Sequence, residues 1–259
     1  MKKENNQTFE QLFCSLFNYS HDLRTVFSDF VSIVICTLAM NPETKQSYYE
    51  DEYLKIIEPY KTKDHVKHFA TLYAKLIDEM EKRLGSGGLG NDVLGEFFEI
   101  HVATDRKSQF FTPWPICEFM ARINMTDALD NPEPQRVIDP ACGSGRMLLA
   151  GSRILGSKHS YYGIDIDLVC VRMTVINLFL NGVFKGEVMC ANTLNPFDTF
   201  VESYILSFLP LRIFKITNKE DSPLWQSSVA SFVKEPLQEE DLNLVQKLTI
   251  DSGSQLKLF

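Results

Sequence analysis

The sequence predicts an α/β fold on a parallel sheet, preceded by a helical region, and three stretches carry that prediction. Val137 to Leu148 reads as a β-branched run that ends in Asp139, passes through Gly143-Ser144-Gly145 and restarts as an apolar helix. Tyr161 to Asp165 and Gly186 to Asn192 repeat the short apolar run stopped by a polar residue. Strands alternating with helical segments imply right-handed crossovers and a ligand at the carboxyl edge of the sheet.

Taken in order, residues 7–84 are helical in pattern. Phe9, Leu12, Phe13, Leu16 and Phe17 fall at helical spacing, as do Phe69, Leu72, Tyr73, Leu76 and Ile77, and both stripes read as core faces. Gly85-Ser86-Gly87-Gly88-Leu89-Gly90 reads as a hinge, with a tight loop as the alternative. Trp114 to Met125 is the next helix, and the strands follow. Tyr204 to Leu209 and Arg212 to Thr217 are extended, in an order the pattern does not give. Glu235 to Leu248 is acidic and helical, then Asp251-Ser252-Gly253-Ser254 is a polar spacer. The expected parts are a helical region over 1–84, an α/β domain over 90–235 and a tail over 236–259.

A strand that stops at a glycine turn and restarts as a helix presents backbone N–H groups to a ligand. Gly143 and Gly145 let the backbone approach it closely. The dinucleotide fingerprint is excluded because Leu148 stands where its third glycine belongs, and the Gly-Lys-Ser/Thr of a P-loop is absent. An acid at the strand end repels a pyrophosphate and suits a cation.

Asp139-Pro140-Ala141-Cys142-Gly143-Ser144-Gly145 resembles the first motif of the amino-group DNA methyltransferases, most closely the modification subunits of type I restriction systems. The resemblance implies a Rossmann-like S-adenosylmethionine-dependent methyltransferase sheet, here abbreviated. It also implies that Asp139, Pro140, Ala141, Gly143 and Gly145 wrap the methionine part of S-adenosylmethionine. Gly163-Ile164-Asp165-Ile166-Asp167 resembles the second motif, which makes Asp165 the ribose ligand; a plain helix cap is its alternative reading. Asp167 reads as the cap of the helix that follows. Asn192 matches the position that meets the cofactor's adenine, though Asn at a strand end is also a common turn residue. Upstream, Gln109-Phe110-Phe111-Thr112-Pro113 resembles the segment that covers the cofactor, adding Gln109, Phe110 and Thr112 to the implied contacts. Asp92 to Glu99 resembles a helix of the same subunits, so the likeness runs over residues 90–195.

One motif of that family is missing. The exocyclic amine of adenine is a poor nucleophile because its lone pair is delocalised. An Asn or Asp side chain and a proline carbonyl accept its protons, while an aromatic ring stacks on the flipped-out base. The family's Asn-Pro-Pro-Tyr/Phe supplies these groups, and no Pro-Pro dipeptide occurs in this sequence. Asn195-Pro196-Phe197 is the nearest approximation, with Asn195 either the amine acceptor or a turn residue. Two classes of function therefore compete: an adenine-N6 methyltransferase, and a catalytically degenerate accessory or decoy protein that keeps the cofactor site. Transfer to RNA or a small molecule is a third reading, because the fold alone does not choose a substrate.

Composition bounds the partners. With 259 residues and 44% hydrophobic content the chain can bury a sizeable core. A net charge of −8 without a basic stripe argues against DNA gripped by this chain alone. The expectation is DNA reached through a partner subunit, as specificity subunits do in the systems it resembles. Six scattered cysteines indicate neither a zinc site nor a disulfide framework. No apolar run is long enough for a signal core or a membrane span, so a cytoplasmic location is expected. The terminal Gln255-Leu256-Lys257-Leu258-Phe259 resembles the pentapeptide with which bacterial polymerases and repair proteins bind the sliding clamp. That resemblance implies docking through Gln255, Leu256, Leu258 and Phe259; a tucked apolar terminus is the alternative.

Overall fold

The structure is a computed structural model that describes residues 7–17, 22–39, 49–63, 65–85, 92–103, 110–129, 131, 133–195 and 199–234. The expected hinge after Gly85 and the tail with Gln255, Leu256, Leu258 and Phe259 lie outside the described residues. Helices α1 (Phe9–Phe17), α2 (Leu23–Leu38), α3 (Glu50–Ile57) and α4 (Val66–Gly85) come first. Asp22 starts α2 by accepting the Thr25 N–H at 3.1 Å. A short helix, α5 (Val93–Phe97), widens into a π turn over Phe98–Val102, and α6 (Trp114–Leu129) leads to the sheet.

The sheet alternates as expected through β1 (Arg136–Asp139), α7 (Arg146–Leu155), β2 (Ser160–Asp165), α8 (Leu168–Leu180) and β3 (Lys185–Cys190). These three strands are parallel, with Val137 beside Tyr161 and Gly163 beside Val188. The all-parallel expectation fails beyond them. Strands β4 (Glu202–Phe208) and β5 (Leu211–Ile216) run antiparallel, and the spatial order is β1-β2-β3-β4-β5. The cause is chain length: a parallel return needs a crossover of a dozen or more residues, and residues 191–201 hold no helix among those described. Leu209-Pro210 then closes a tight hairpin, and α9 (Pro223–Lys234) follows β5.

One face of the sheet is covered by α8, and α2 packs on α8 in turn, so a single buried core runs from Phe9 through Leu148 to Ile213. Phe9, Leu12 and Phe13 of α1 sit inside it. Phe13 and Phe97 have ring centroids 4.5 Å apart and Phe27 stacks on Phe97 at 5.2 Å, contacts worth about 0.5–1.5 kcal/mol each beyond the area they bury. A charged cluster crosses the same seam. Arg172 of α8 donates to Ser32 of α2 at 2.5 Å and to Glu202 of β4 at 2.9 Å, while Lys215 of β5 pairs with Glu52 of α3 at 2.8 Å. No helix among the described residues is long and apolar enough to cross a membrane.

Candidate functional site

The loop between β1 and α7 owes its shape to two glycines. Gly143 and Gly145 have φ of 54° and 87°, a region that costs other residues dearly, and Gly145 opens α7. Three backbone donors fix the path. Cys142 N–H reaches the Ile164 carbonyl at 2.9 Å, Gly145 N–H the Cys142 carbonyl at 2.7 Å, and Gly143 N–H the Asp165 carboxylate at 2.8 Å. A Cβ on Gly143 would lie 2.7 Å from the Phe111 ring, so the glycine leaves room for the aromatic lid above it.

Beneath the loop lies a buried acid that no motif reading had given a role. Asp92 accepts from Gly95 N–H at 2.8 Å, Ser144 Oγ at 2.5 Å, Arg146 Nε at 2.6 Å and Asn177 Nδ2 at 2.7 Å. A Cβ at position 95 would collide with that carboxylate, which explains the glycine in α5. Arg146 also reaches Glu99 at 2.7 Å, and the other Glu99 oxygen accepts the Phe111 N–H at 2.8 Å. The Phe111 ring lies 5.4 Å from the guanidinium and 5.6 Å from the Phe98 ring. The only sequence signal for this network was that Asp92–Glu99 and the Gln-Phe-Phe-Thr-Pro segment both precede the loop.

At the carboxyl ends of β1, β2 and β3 a cleft of about 550 Å³ opens between Pro140, Ala141, Asp165 and Asn192, with Ile166 and Leu194 on its walls. Asp165 receives Gly143 N–H on one oxygen and Asp167 N–H on the other, each at 2.8 Å. Asp139 holds Ala141 N–H at 3.1 Å and lines a second groove along β1, which meets the cleft at Pro140. Burial pushes both carboxyls above the ordinary carboxylate range; backbone hydrogen bonds oppose this, and at Asp139 the nearby Asp165 charge adds to it. Neither has an ion-pair partner among the described residues. Asp167 caps α8 through Val169 N–H at 2.9 Å, as its position predicts.

The remaining expected residues divide. Asn192 faces the cleft and its side chain accepts the Leu194 N–H at 3.0 Å, so it is at once a lining and a turn residue. Asn195 is exposed on that turn, with its N–H on the Asn192 carbonyl at 3.1 Å, and does not line the cleft. Phe110 is 88% exposed, and its neighbour Phe111 is the ring on the glycine loop. Thr112 is exposed, and its carbonyl receives Cys117 Sγ at 3.3 Å. Gln109 lies outside the described residues. Sequence reasoning missed Ile166 and Leu194, 72% and 90% exposed. Apolar residues just beyond strand-end polar groups were the available signal.

The family pattern for N-6 DNA methylases matches residues 90–246, more than half of the chain. The chain belongs to the N-6 DNA methylase family. The chain is 30% identical over 119 residues to the type I restriction enzyme MpnII methylase subunit of Mycoplasma pneumoniae, an alignment covering 41% of this chain. It spans only 20% of that subunit's length. The crystal structure of a type I restriction-modification methyltransferase subunit from Streptococcus thermophilus is a looser likeness. That match has a TM-score of 0.36 and 16% identity, over 73% of this chain and 60% of the other. The matched span of the methylase pattern contains every element of the cleft, including the Asp92 network.

Proposed function

We propose that the chain binds S-adenosylmethionine in the cleft at the ends of β1–β3 and serves as the cofactor half of an adenine-N6 DNA methyltransferase. The supporting observation is a pair of half-buried carboxylates, Asp139 and Asp165, with no cation paired to them among the described residues. A sulfonium- and ammonium-bearing ligand would meet that unspent charge. A carboxylate offers about four lone-pair sites. Asp165 takes backbone N–H groups from Gly143, Asp167 and Ile166 and keeps acceptor capacity for the ribose. Ile166 and Leu194 fit the two faces of a flat base, with Asn192 at its edge. The Gly143–Gly145 loop, under Phe111, would hold the methionine part. The cofactor, when bound, supplies an electrophilic methyl group. This chain's residues bind and orient it and exclude water from its charged end.

A second reading, an accessory protein that binds the cofactor without transferring its methyl group, is favoured by the missing Pro-Pro and by the exposed turn that carries Asn195. Two measurements separate the readings. Titration calorimetry is expected to show binding of S-adenosylmethionine, and silence at millimolar cofactor overturns both. Tritium transfer to unmethylated DNA, with and without candidate partner subunits, then decides between enzyme and accessory. Loss of transfer in Asn195→Ala at unchanged cofactor affinity would make Asn195 the amine acceptor after all. DNA contact is proposed to come mainly through a partner. The tail is proposed to bind a bacterial sliding clamp through Gln255, Leu256, Leu258 and Phe259. A chain ending at Ser254 that binds the clamp as well as the full chain, or a full chain that does not bind it, retires that idea.

A further inference from the structure

The aromatic lid on the glycine loop is gripped from one side by a single carboxylate. The π turn over Phe98–Val102 closes through Ala103 N–H on the Phe98 carbonyl at 2.7 Å, and turns this wide are rare and gather at functional sites. This one presents two neighbouring side chains to the lid. Phe98 sets its ring 5.6 Å from that of Phe111. Glu99 divides its oxygens: Oε1 accepts the Phe111 N–H at 2.8 Å, and Oε2 accepts from Arg146 Nη2 at 2.7 Å. Arg146 opens α7, and its Nη1 lies 3.4 Å from the Thr112 carbonyl. The lid backbone is thus held by Glu99 and Arg146 together, with the Phe111 ring left over Gly143.

Charge balance does not account for Glu99. Arg146 already has a buried counterion in Asp92 at 2.6 Å, so a second acid on the same cation is surplus to neutralisation. Nor does the shape of the loop beneath require it. Asp92 bonds Gly95, Ser144, Arg146 and Asn177, none of them on the lid. What Glu99 adds is the bond to the Phe111 amide. Its side chain is 28% exposed, within reach of water, yet both oxygens are committed to protein donors, one of them charged.

We propose that Glu99 is a positioning residue for the cofactor and acts through Phe111, fixing its ring over the glycine loop so that the methionine part enters a slot already roofed. This role rests on the S-adenosylmethionine reading of the cleft; the seating of the ring on Gly143 does not. The chemistry of an isostere makes the idea sharp. Glutamine at this position keeps the shape and one carbonyl oxygen, but its NH2 must face either the Phe111 N–H or the Arg146 guanidinium, donor against donor. One arm of the bracket then opens while Arg146 keeps Asp92. S-adenosylmethionine and S-adenosylhomocysteine both carry the part beneath the lid, so a displaced ring weakens both. A mere loss of negative charge would weaken the sulfonium selectively.

The test uses the full chain and two readouts. In ligand-free protein the Phe111 ring current is expected to move a Gly143 Hα resonance upfield; Phe111→Ala should abolish that shift and Glu99→Gln should remove much of it. In calorimetry Glu99→Gln should weaken both ligands about fivefold and Phe111→Ala about twentyfold. The double variant should match Phe111→Ala within about twofold, because a residue that acts through another adds nothing once the other is gone. Glu96→Gln, which disturbs the Arg83 pair earlier on the same helical segment, should leave both affinities unchanged. A Gly143 resonance unmoved by Glu99→Gln overturns the proposal. So do additive losses in the double variant, which would mark a general structural role, and a loss confined to S-adenosylmethionine, which would mark charge alone. Silence of the wild type in calorimetry overturns the cofactor reading and the role of Glu99 with it, whereas a failed bracket with intact wild-type binding leaves that reading standing.

Discussion

Two acidic regions of this molecule, buried Glu202 with its neighbours and the half-buried pair Asp139 and Asp165, differ in what stands opposite them. Around Arg172 every acid meets a cation: Glu202 lies 2.9 Å from Arg172 and 3.0 Å from Lys215, which also holds Glu52. Burial alone would raise the Glu202 carboxyl, but Arg172, the Tyr204 hydroxyl and Lys215 reverse that and keep it below its ordinary value. At the carboxyl ends of β1 and β2, Asp139 and Asp165 are pushed the other way, and backbone N–H groups only partly compensate. The first region is electrostatically closed and holds the helices to the sheet. The second is left without a cation among the described residues, which is what the proposed sulfonium ligand requires.

The largest expected effect tests the closed region. Arg172→Met should remove about 3–5 kcal/mol of stability in denaturant titrations, because it strands buried acids. S-adenosylmethionine affinity of the folded fraction should stay within about twofold, a change under ~0.5 kcal/mol. A parallel loss of affinity would break the comparison, since the regions would then not be separate. Next is Asp165→Ala, expected to weaken the cofactor by about 1.5–3 kcal/mol in calorimetry. S-adenosylhomocysteine, which keeps the ribose, should weaken alike.

Asp139→Asn sharpens the contrast with a smaller change of two opposite signs. Cofactor affinity should fall about tenfold, ~1.4 kcal/mol, and S-adenosylhomocysteine, which lacks the sulfonium charge, should lose less. Ligand-free stability should rise. A carboxyl whose folded pKa lies above its unfolded value opposes folding at neutral pH, and that cost disappears as pH falls below the ordinary Asp value. The gain in Tm at pH 7, on the order of 1–3 °C, should therefore vanish in acid. Glu202 has the opposite sign: its contribution is full above the ordinary Glu value and is lost as pH falls through its depressed one. Acid unfolding should thus be steeper in wild type than in Glu202→Gln. The smallest effect belongs to Leu194→Ala, about threefold to fivefold in affinity, or ~1 kcal/mol of apolar contact, with Tm unchanged at so exposed a position.

Local signals made much of this legible. The glycine turn, the strand-end Asp165 and the cap at Asp167 follow from short-range rules, and the structure puts each at the junction its motif predicts. The alternation of β1, α7, β2, α8 and β3 was readable for the same reason. The antiparallel turn after β3 was not, because the pattern of Tyr204–Leu209 is that of any half-buried strand and direction depends on the connection. Phe110 and Phe111 could not be told apart, since adjacent residues carry one composition and face opposite ways. The Asp92 network was invisible for a deeper reason. The side chains that donate to Asp92 lie 52 to 85 residues from it, from Ser144 to Asn177, and share no periodicity.

That network has a kinetic consequence. Asp92 receives four hydrogen bonds from α5, the glycine loop, α7 and α8, so the loop acquires its shape when the chain folds. Ordering entropy that a floppy loop would surrender to each arriving ligand has already been spent. Association should then be governed by diffusion and by shedding of water rather than by a slow closing step, and residence time becomes the quantity that selects one ligand over another. Amide exchange at Gly143 and Gly145 should accordingly be as slow before ligand addition as at Val188 in the sheet interior, the signature of a cradle built in advance.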